Sequence, residues 1–272
     1  MRAQEIIKPP TGDGDLEGVL QGQDVLIVVP TYNERDNLLP LVREVRSRFP
    51  LISLLIVDDG SPDGTGELAG RLAVSDPNVH VLHRVGKRGL GSAYLDGFRW
   101  ALAHDFEYVI EMDADFSHRP EDLPLLLAAA SKHDVVIGSR NIPGGAVVGW
   151  SRIRQWISRG GSIYARLILG LPIHDCTSGF KCFRRAALES IDLEGVRSNG
   201  YAFQVEVNHV CNRAGLRLAE VPIVFPERAR GKSKMSVGIV IEAAVVVLRL
   251  RVSRNEAVVR GHGRQAPVST AG

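Results

Sequence analysis

A doubly wound α/β fold on a mostly parallel sheet is predicted by three observations. Short apolar runs rich in β-branched residues recur at 25–29, 54–57, 79–82, 108–112 and 134–137, as expected of strands buried on both faces. Helix-length stretches separate them, and strand–helix alternation at this spacing means right-handed crossovers within one sheet. Polar residues gather where the runs stop, at the strand ends where open α/β sheets bind ligands. The chain of 272 residues is long enough to bury one such domain with appendages.

The elements follow in order. Residues 1–22 carry few apolar side chains and several glycines and read as a disordered tail. The first run, 25–29, ends in Pro30-Thr-Tyr-Asn-Glu34. Asn33 is placed to cap the next helix, which carries Leu38, Leu41, Val42 and Val45 at helical spacing. Pro40 is awkward in a helix interior and predicts a late start or a kink. The second run leads into Asp58-Asp-Gly-Ser-Pro-Asp-Gly64, a dense turn cluster. A helix from about Thr65 to Val74 precedes the third run. Gly89-Leu-Gly91 opens a helix ending near His104, and Pro120 opens another after the fourth run. The fifth run ends in Gly138-Ser-Arg140. Leu216–Val221 reads as a further strand, preceded by a helix carrying Glu206 and His209, a spacing typical of a surface contact.

The fourth run ends in Asp113-Ala-Asp115. In a strand, residues two apart share a face, so both carboxylates would leave it side by side. Like charges that close are relieved by a cation, and Mg²⁺ or Mn²⁺ prefers oxygen ligands. A dinucleotide-binding reading fails, because Tyr94 stands where G-x-G-x-x-G needs its third glycine. No P-loop pattern occurs.

Composition excludes other classes. A net charge of +2 gives no reason to expect nucleic-acid binding. The three cysteines, Cys176, Cys182 and Cys211, lack metal-ligand spacing and read as reduced core thiols. No signal peptide is expected from the polar N-terminus. The longest apolar run, 237–248, is interrupted by Glu242 and falls short of the roughly 20 residues that span a bilayer. Residues 147–171 carry four arginines and no acid, with Ile153, Trp156, Ile157, Tyr164, Leu167 and Ile168 at helical spacing, the pattern of a membrane-surface helix. The second apolar segment ends in Arg249, Arg251 and Arg254 and suits the same surface. A short basic loop, Arg228-Ala-Arg-Gly-Lys-Ser-Lys234, has the charge to neutralise a diphosphate and to close over it.

Five ordered motifs carry a family resemblance: Pro30-Thr-Tyr-Asn-Glu34, the stretch from Val57 to Thr65, Gly89-Leu-Gly91, Asp113-Ala-Asp115-Phe-Ser-His118 and Thr177-Ser-Gly-Phe180. Over residues 24–236 the chain resembles inverting glycosyltransferases of family 2 with a GT-A fold, and more closely the polyprenol- or dolichol-phosphate mannosyltransferases. The resemblance implies transfer of mannose from GDP-mannose to a polyprenyl phosphate with a Mg²⁺ or Mn²⁺ ion. By position, it implies that Pro30, Tyr32, Glu34, Val57 and Asp59 hold the nucleoside. Asp113, Ala114 and Asp115 would hold ribose and diphosphate, with Asp115 as metal ligand aided by Asp113. Ser117 would be a further ligand where relatives often have Gln. Arg140, Arg228 and Lys234 would contact phosphates, Asp115, Arg140 and Lys234 being the residues of catalysis. Arg154 and Ser158, with Arg140, would meet the acceptor phosphate.

A lipid phosphate is already an anion and needs no general base. Asp175, beside Cys176-Thr-Ser-Gly-Phe180, is the residue that could contradict this; a role in holding its loop is favoured. The alternatives left open are a UDP-glucose-dependent polyprenyl-phosphate glucosyltransferase, a hydroxyl-acceptor transferase using Asp175, and a non-catalytic nucleotide-sugar-binding module. The expected organisation is a tail at 1–22, a glycosyltransferase domain at 23–235 with an interface helix at 147–171, a second interface helix at 236–252 and a disordered basic tail at 253–272. The expected location is the cytoplasmic face of the membrane, as a peripheral protein, with room for an integral membrane partner.

Overall fold

The computed structural model describes residues 5–6, 24–227 and 237–252. Its strands are β1 (Glu5–Ile6), β2 (Val25–Thr31), β3 (Ser53–Asp58), β4 (Val79–His83), β5 (Tyr108–Glu111), β6 (Val135–Ser139), β7 (Ala146–Val147), β8 (Lys181–Arg184), β9 (Leu218–Pro222) and β10 (Val224–Phe225). Its helices are α1 (Arg35–Arg48), α2 (Thr65–Ser75), α3 (Leu90–Leu102), α4 (Leu123–Ala130), α5 (Arg152–Leu169), α6 (Arg185–Ser190), α7 (Gly200–Arg213) and α8 (Val237–Val252), with a 3₁₀ turn at Pro120–Asp122.

The main sheet runs β1-β9-β6-β8-β5-β2-β3-β4. All pairings are parallel except those of β8, which lies antiparallel between β5 and β6. The five expected runs form β2 to β6, and β2, β3, β5 and β6 are buried throughout or nearly so. Helices cover both faces, giving two cores. One joins β2 and β3 side chains to α3 and α7, with Tyr94 stacked on Phe203 at 5.9 Å and Phe98 edge-on to Phe183 at 5.2 Å. The other packs α1 and α4 on the opposite face. Gly97 brings α3 close to the sheet: a Cβ there would lie 2.4 Å from Val28 Cγ1.

Several expectations are corrected. Glu5–Ile6, assigned to a disordered tail, adds a short edge strand on β9; the rest of 1–22 lies outside the described residues, as does 253–272. Asn33 does not cap α1. It adopts φ +60° and its N–H bonds Ser61 Oγ, while Glu34 occupies the cap position. Helix α1 also starts at Arg35, well before Pro40, and Pro40 lies on its exposed side. Glu206 and His209 are buried, not a surface pair: Glu206 accepts the backbone N–H groups of Arg197 and Ser198, fixing the loop before α7. All three cysteines are buried and free, as expected.

Candidate active site

Because β2, β3, β5 and β6 are parallel, their C-terminal ends open onto one edge of the sheet. A cavity of about 410 Å³ lies there. It brings together Pro30, Tyr32, Glu34, Asp59, Asp113, Ala114, Asp115, Arg140 and Arg154 of the expected site. Three expected residues do not line it. Val57 alternates into the core and is fully buried. Ser117 is buried, and its backbone N–H, not its hydroxyl, bonds Asp115 Oδ1 at 3.1 Å. Ser158 lies on α5 outside the lining. Arg228 and Lys234 lie outside the described residues.

At the β2–β3 end, Asp59 accepts the N–H groups of Arg88 at 3.0 Å and Gly89 at 2.7 Å, and pairs with Arg84 at 2.8 Å. Its carboxylate thus fixes the loop that carries Lys87. Lys87 Nζ sits 4.1 Å from the Tyr32 ring centroid, a cation–π contact at the cavity wall.

At the end of β5, the strand stops at Glu111, so the face-sharing argument for Asp113 and Asp115 fails. A turn in which Phe116 adopts φ +62° presents them instead. Tyr94 Oη donates to Asp113 Oδ1 at 3.0 Å, and burial, reinforced by Asp113, raises the phenol well above its ordinary range, keeping it a donor. The Asp113 N–H donates to His118 Nδ1 at 2.9 Å. Among the described residues no group of three or more His, Cys, Asp or Glu side chains forms a metal cage. Two carboxylates facing one cavity still fit a hard cation, which commonly takes one or two protein carboxylates and completes its shell with substrate phosphates and water.

Beneath this turn lies a buried pair. Glu111 and Lys181 face each other across β5 and β8, 3.7 Å apart, and Lys181 Nζ donates to Gln204 Oε1. Burial pushes the Glu111 carboxyl up to about 7, with Lys181 and Gln204 pulling the other way.

At the end of β6, Arg140 is held rigidly. Its Nε and Nη2 each donate to Asp175 at 2.7 Å, its backbone N–H donates to the same carboxylate, and Nη2 also reaches Thr177 Oγ1. Burial alone would raise the Asp175 carboxyl, but Arg140 outweighs it and holds it below the usual range. Asp175 thus orients Arg140 and is not placed as a base. Two guanidinium groups approach the Trp150 ring, Arg154 at 3.8 Å and Arg140 at 5.6 Å from its centroid.

Sequence reasoning missed Lys87, Tyr94, His118, Trp150 and Gln204, all lining or bordering the cavity. Glu242, with Ala243, also lines it, and its interruption of an apolar run was the available signal.

Beside the cavity, α5 leaves Ile153, Trp156 and Leu167 exposed at 74%, 78% and 75%, and α8 exposes Leu248 and Val252. No helix among the described residues is long and apolar enough to cross a membrane.

The chain is similar to known proteins over most of its length. Residues 26–192 match the family described as Glycosyl transferase family 2. The chain is 50% identical over 225 residues to an undecaprenyl-phosphate mannosyltransferase of Micrococcus luteus, covering 83% of this chain and 93% of that one. It is 47% identical over 244 residues to a polyprenol monophosphomannose synthase of Mycolicibacterium smegmatis, covering 88% and 92%. Among solved structures, glucosyl-3-phosphoglycerate synthase from Mycobacterium tuberculosis, in complex with Mn²⁺, uridine diphosphate and phosphoglyceric acid, superimposes with a TM-score of 0.67 at 19% identity, covering 92% and 86%. That likeness concerns the fold.

Proposed function

The chain belongs to glycosyl transferase family 2, and from that premise we propose that it transfers mannose from GDP-mannose to a polyprenyl phosphate, with inversion, giving a lipid-linked mannose. The observation that carries this reading is one cavity with carboxylates at the end of β5, a locked guanidinium at the end of β6, and an exposed apolar helix beside it.

Tyr32 and Glu34 bind the nucleoside, with Lys87 held beside them by the Asp59-anchored loop. Asp113 and Asp115 face the ribose and diphosphate. A Mg²⁺ or Mn²⁺ ion held by these carboxylates would neutralise diphosphate charge. Arg140, fixed by Asp175, and Arg154, stacked on Trp150, receive the acceptor phosphate. That phosphate attacks the anomeric carbon directly. A phosphate oxygen–carbon bond forms, the bond to the diphosphate breaks, and GDP leaves with the electron pair. Positioning and charge complementarity do the catalytic work, since an anionic nucleophile has no proton to lose. The basic run from Arg228 to Lys234, outside the described residues, has the charge to neutralise a diphosphate. The enzyme works as a peripheral protein on the cytoplasmic membrane face, with α5 and α8 toward the lipid and an integral membrane protein as a further partner.

The test is transfer of radiolabelled sugar into polyprenyl phosphate, from GDP-mannose and UDP-glucose in parallel, with Mg²⁺ or EDTA. Metal-dependent labelling from GDP-mannose alone is expected. Labelling from UDP-glucose alone would move the donor, and no lipid labelling from either would overturn the acceptor assignment.

A further inference from the structure

We propose that Gln204 is a ligand of the transferred sugar, its Nε2 donating to a hydroxyl of the hexose, and that Lys181 and Glu111 are the positioning residues behind it. The inference rests on the glycosyltransferase reading above.

Gln204 carries a donor that the protein does not fully match. Gln204 is nearly fully buried on α7 yet lines the cavity. Lys181 carries only donors, so the amide must turn its oxygen to Lys181 and its nitrogen away. One of its two N–H groups faces the Glu111 carboxylate, which it helps to hold down, but the nitrogen makes no well-formed hydrogen bond and its second N–H is unmatched. A buried polar group left unmatched is rare in folded proteins and calls for an explanation.

The surroundings fix where it stands. A Cβ built on Gly179 would lie 3.3 Å from Gln204 Nε2 and 3.6 Å from His118 Cε1. The amide nitrogen therefore borders Gly179, just before β8, and His118, which accepts from Asp113 N–H. Strand β8 lies between β5 and β6, and Lys181 registers opposite both Glu111 and Ile137. The start of β8 thus sits between the Asp113–Asp115 turn and Arg140. A sugar in flight from diphosphate to acceptor phosphate occupies that interval. A neutral amide N–H suits a hydroxyl there, whereas the phosphates already meet cationic groups.

The pair behind Gln204 explains why it is fixed. An isolated ammonium is costly to bury, and Glu111 supplies the counter-charge. Lys181, held by Glu111, keeps the amide in one orientation before substrate arrives, as preorganised dipoles do in active sites.

The test compares wild type, Gln204→Leu and Gln204→Glu by calorimetric titration with GDP and with GDP-mannose, alongside transfer rates and melting temperatures. Gln204→Glu keeps an acceptor for Lys181 and loses the N–H, so it removes the donor without stranding the ammonium. Expected is a loss of roughly tenfold in GDP-mannose affinity, with GDP affinity changed by less than about twofold, in both variants. Equal losses for GDP and GDP-mannose would overturn the proposal, as would unchanged sugar-nucleotide affinity. A lowered melting temperature with the wild-type affinity ratio would make Gln204 purely structural and overturn it too. If wild type transfers only from UDP-glucose, the donor assignment fails, and the same comparison with UDP and UDP-glucose decides on Gln204. A wild type that binds both members of a pair equally also overturns the inference.

Discussion

At the residue scale, Asp175 decides between two kinds of chemistry. Its carboxylate spends three hydrogen bonds on Arg140 and is fully buried. Breaking a buried pair by removing one charge leaves the other unpaired, at a cost of about 3–5 kcal/mol. Asp175→Asn is expected to lose stability of that size in urea unfolding at pH 7. The sign with pH follows from the depressed carboxyl. Its stabilisation is present above the ordinary carboxylate range and is lost as pH falls through it, so the gap between wild type and variant narrows on acidification. A variant as stable as wild type but unable to transfer sugar would instead make Asp175 a proton acceptor. Much of the rest of the site was legible because its residues directly follow strand ends, as Tyr32, Asp59, Asp113 and Arg140 do. Val57 was not, because the alternation that makes β3 a good strand turns its side chain into the core. Trp150 and Gln204 were not, because Trp150 acts through ring contacts with Arg140 and Arg154 that no strand or helix period signals, and Gln204 through Lys181, 23 residues away in sequence.

At the scale of elements, α3 links the core to the site. It carries Tyr94, which binds Asp113, and it presses on β2 through Gly97. A methyl group at 97 has no room beside Val28, so Gly97→Ala is expected to cost about 1–3 kcal/mol, overpacking outweighing the gain in helix propensity. Thermal unfolding checks this; an unchanged or raised melting temperature would show that Val28 can turn aside. The buried parallel strands were readable because burial on both faces makes each a continuous apolar run. Strand β8 escaped notice for the same physical reason. Lys181-Cys-Phe-Arg184 has charges at both ends, and Lys181 is tolerable inside only because Glu111 faces it across the strand pair. Helix α1 shows a related limit: Pro40 cannot donate a backbone hydrogen bond, but it lies on an exposed face, where that loss is least costly.

At the scale of the whole molecule, the cavity and the exposed face of α5 define a direction. Arg154 and Trp150 line the cavity at the start of α5, and Trp156 emerges a turn or so further on. An acceptor with a charged phosphate and a long apolar tail fits that sequence of surfaces, phosphate toward Arg140 and Arg154, tail toward the apolar residues. Water-exposed Trp156 and Leu167 are costly unless something covers them, and burying a side chain of this size is worth about 1.5–3 kcal/mol. The arginines of α5 and α8 add attraction to anionic lipid that salt weakens. Trp156→Asp with Leu167→Asp is therefore expected to lower flotation on anionic liposomes at least about tenfold, while GDP-mannose affinity and melting temperature stay near wild type. High salt should weaken wild-type flotation in part, leaving the apolar share. Flotation unchanged by both substitutions would mean that α5 does not carry the protein to lipid, and that a partner protein or the segment beyond Val252 does so instead.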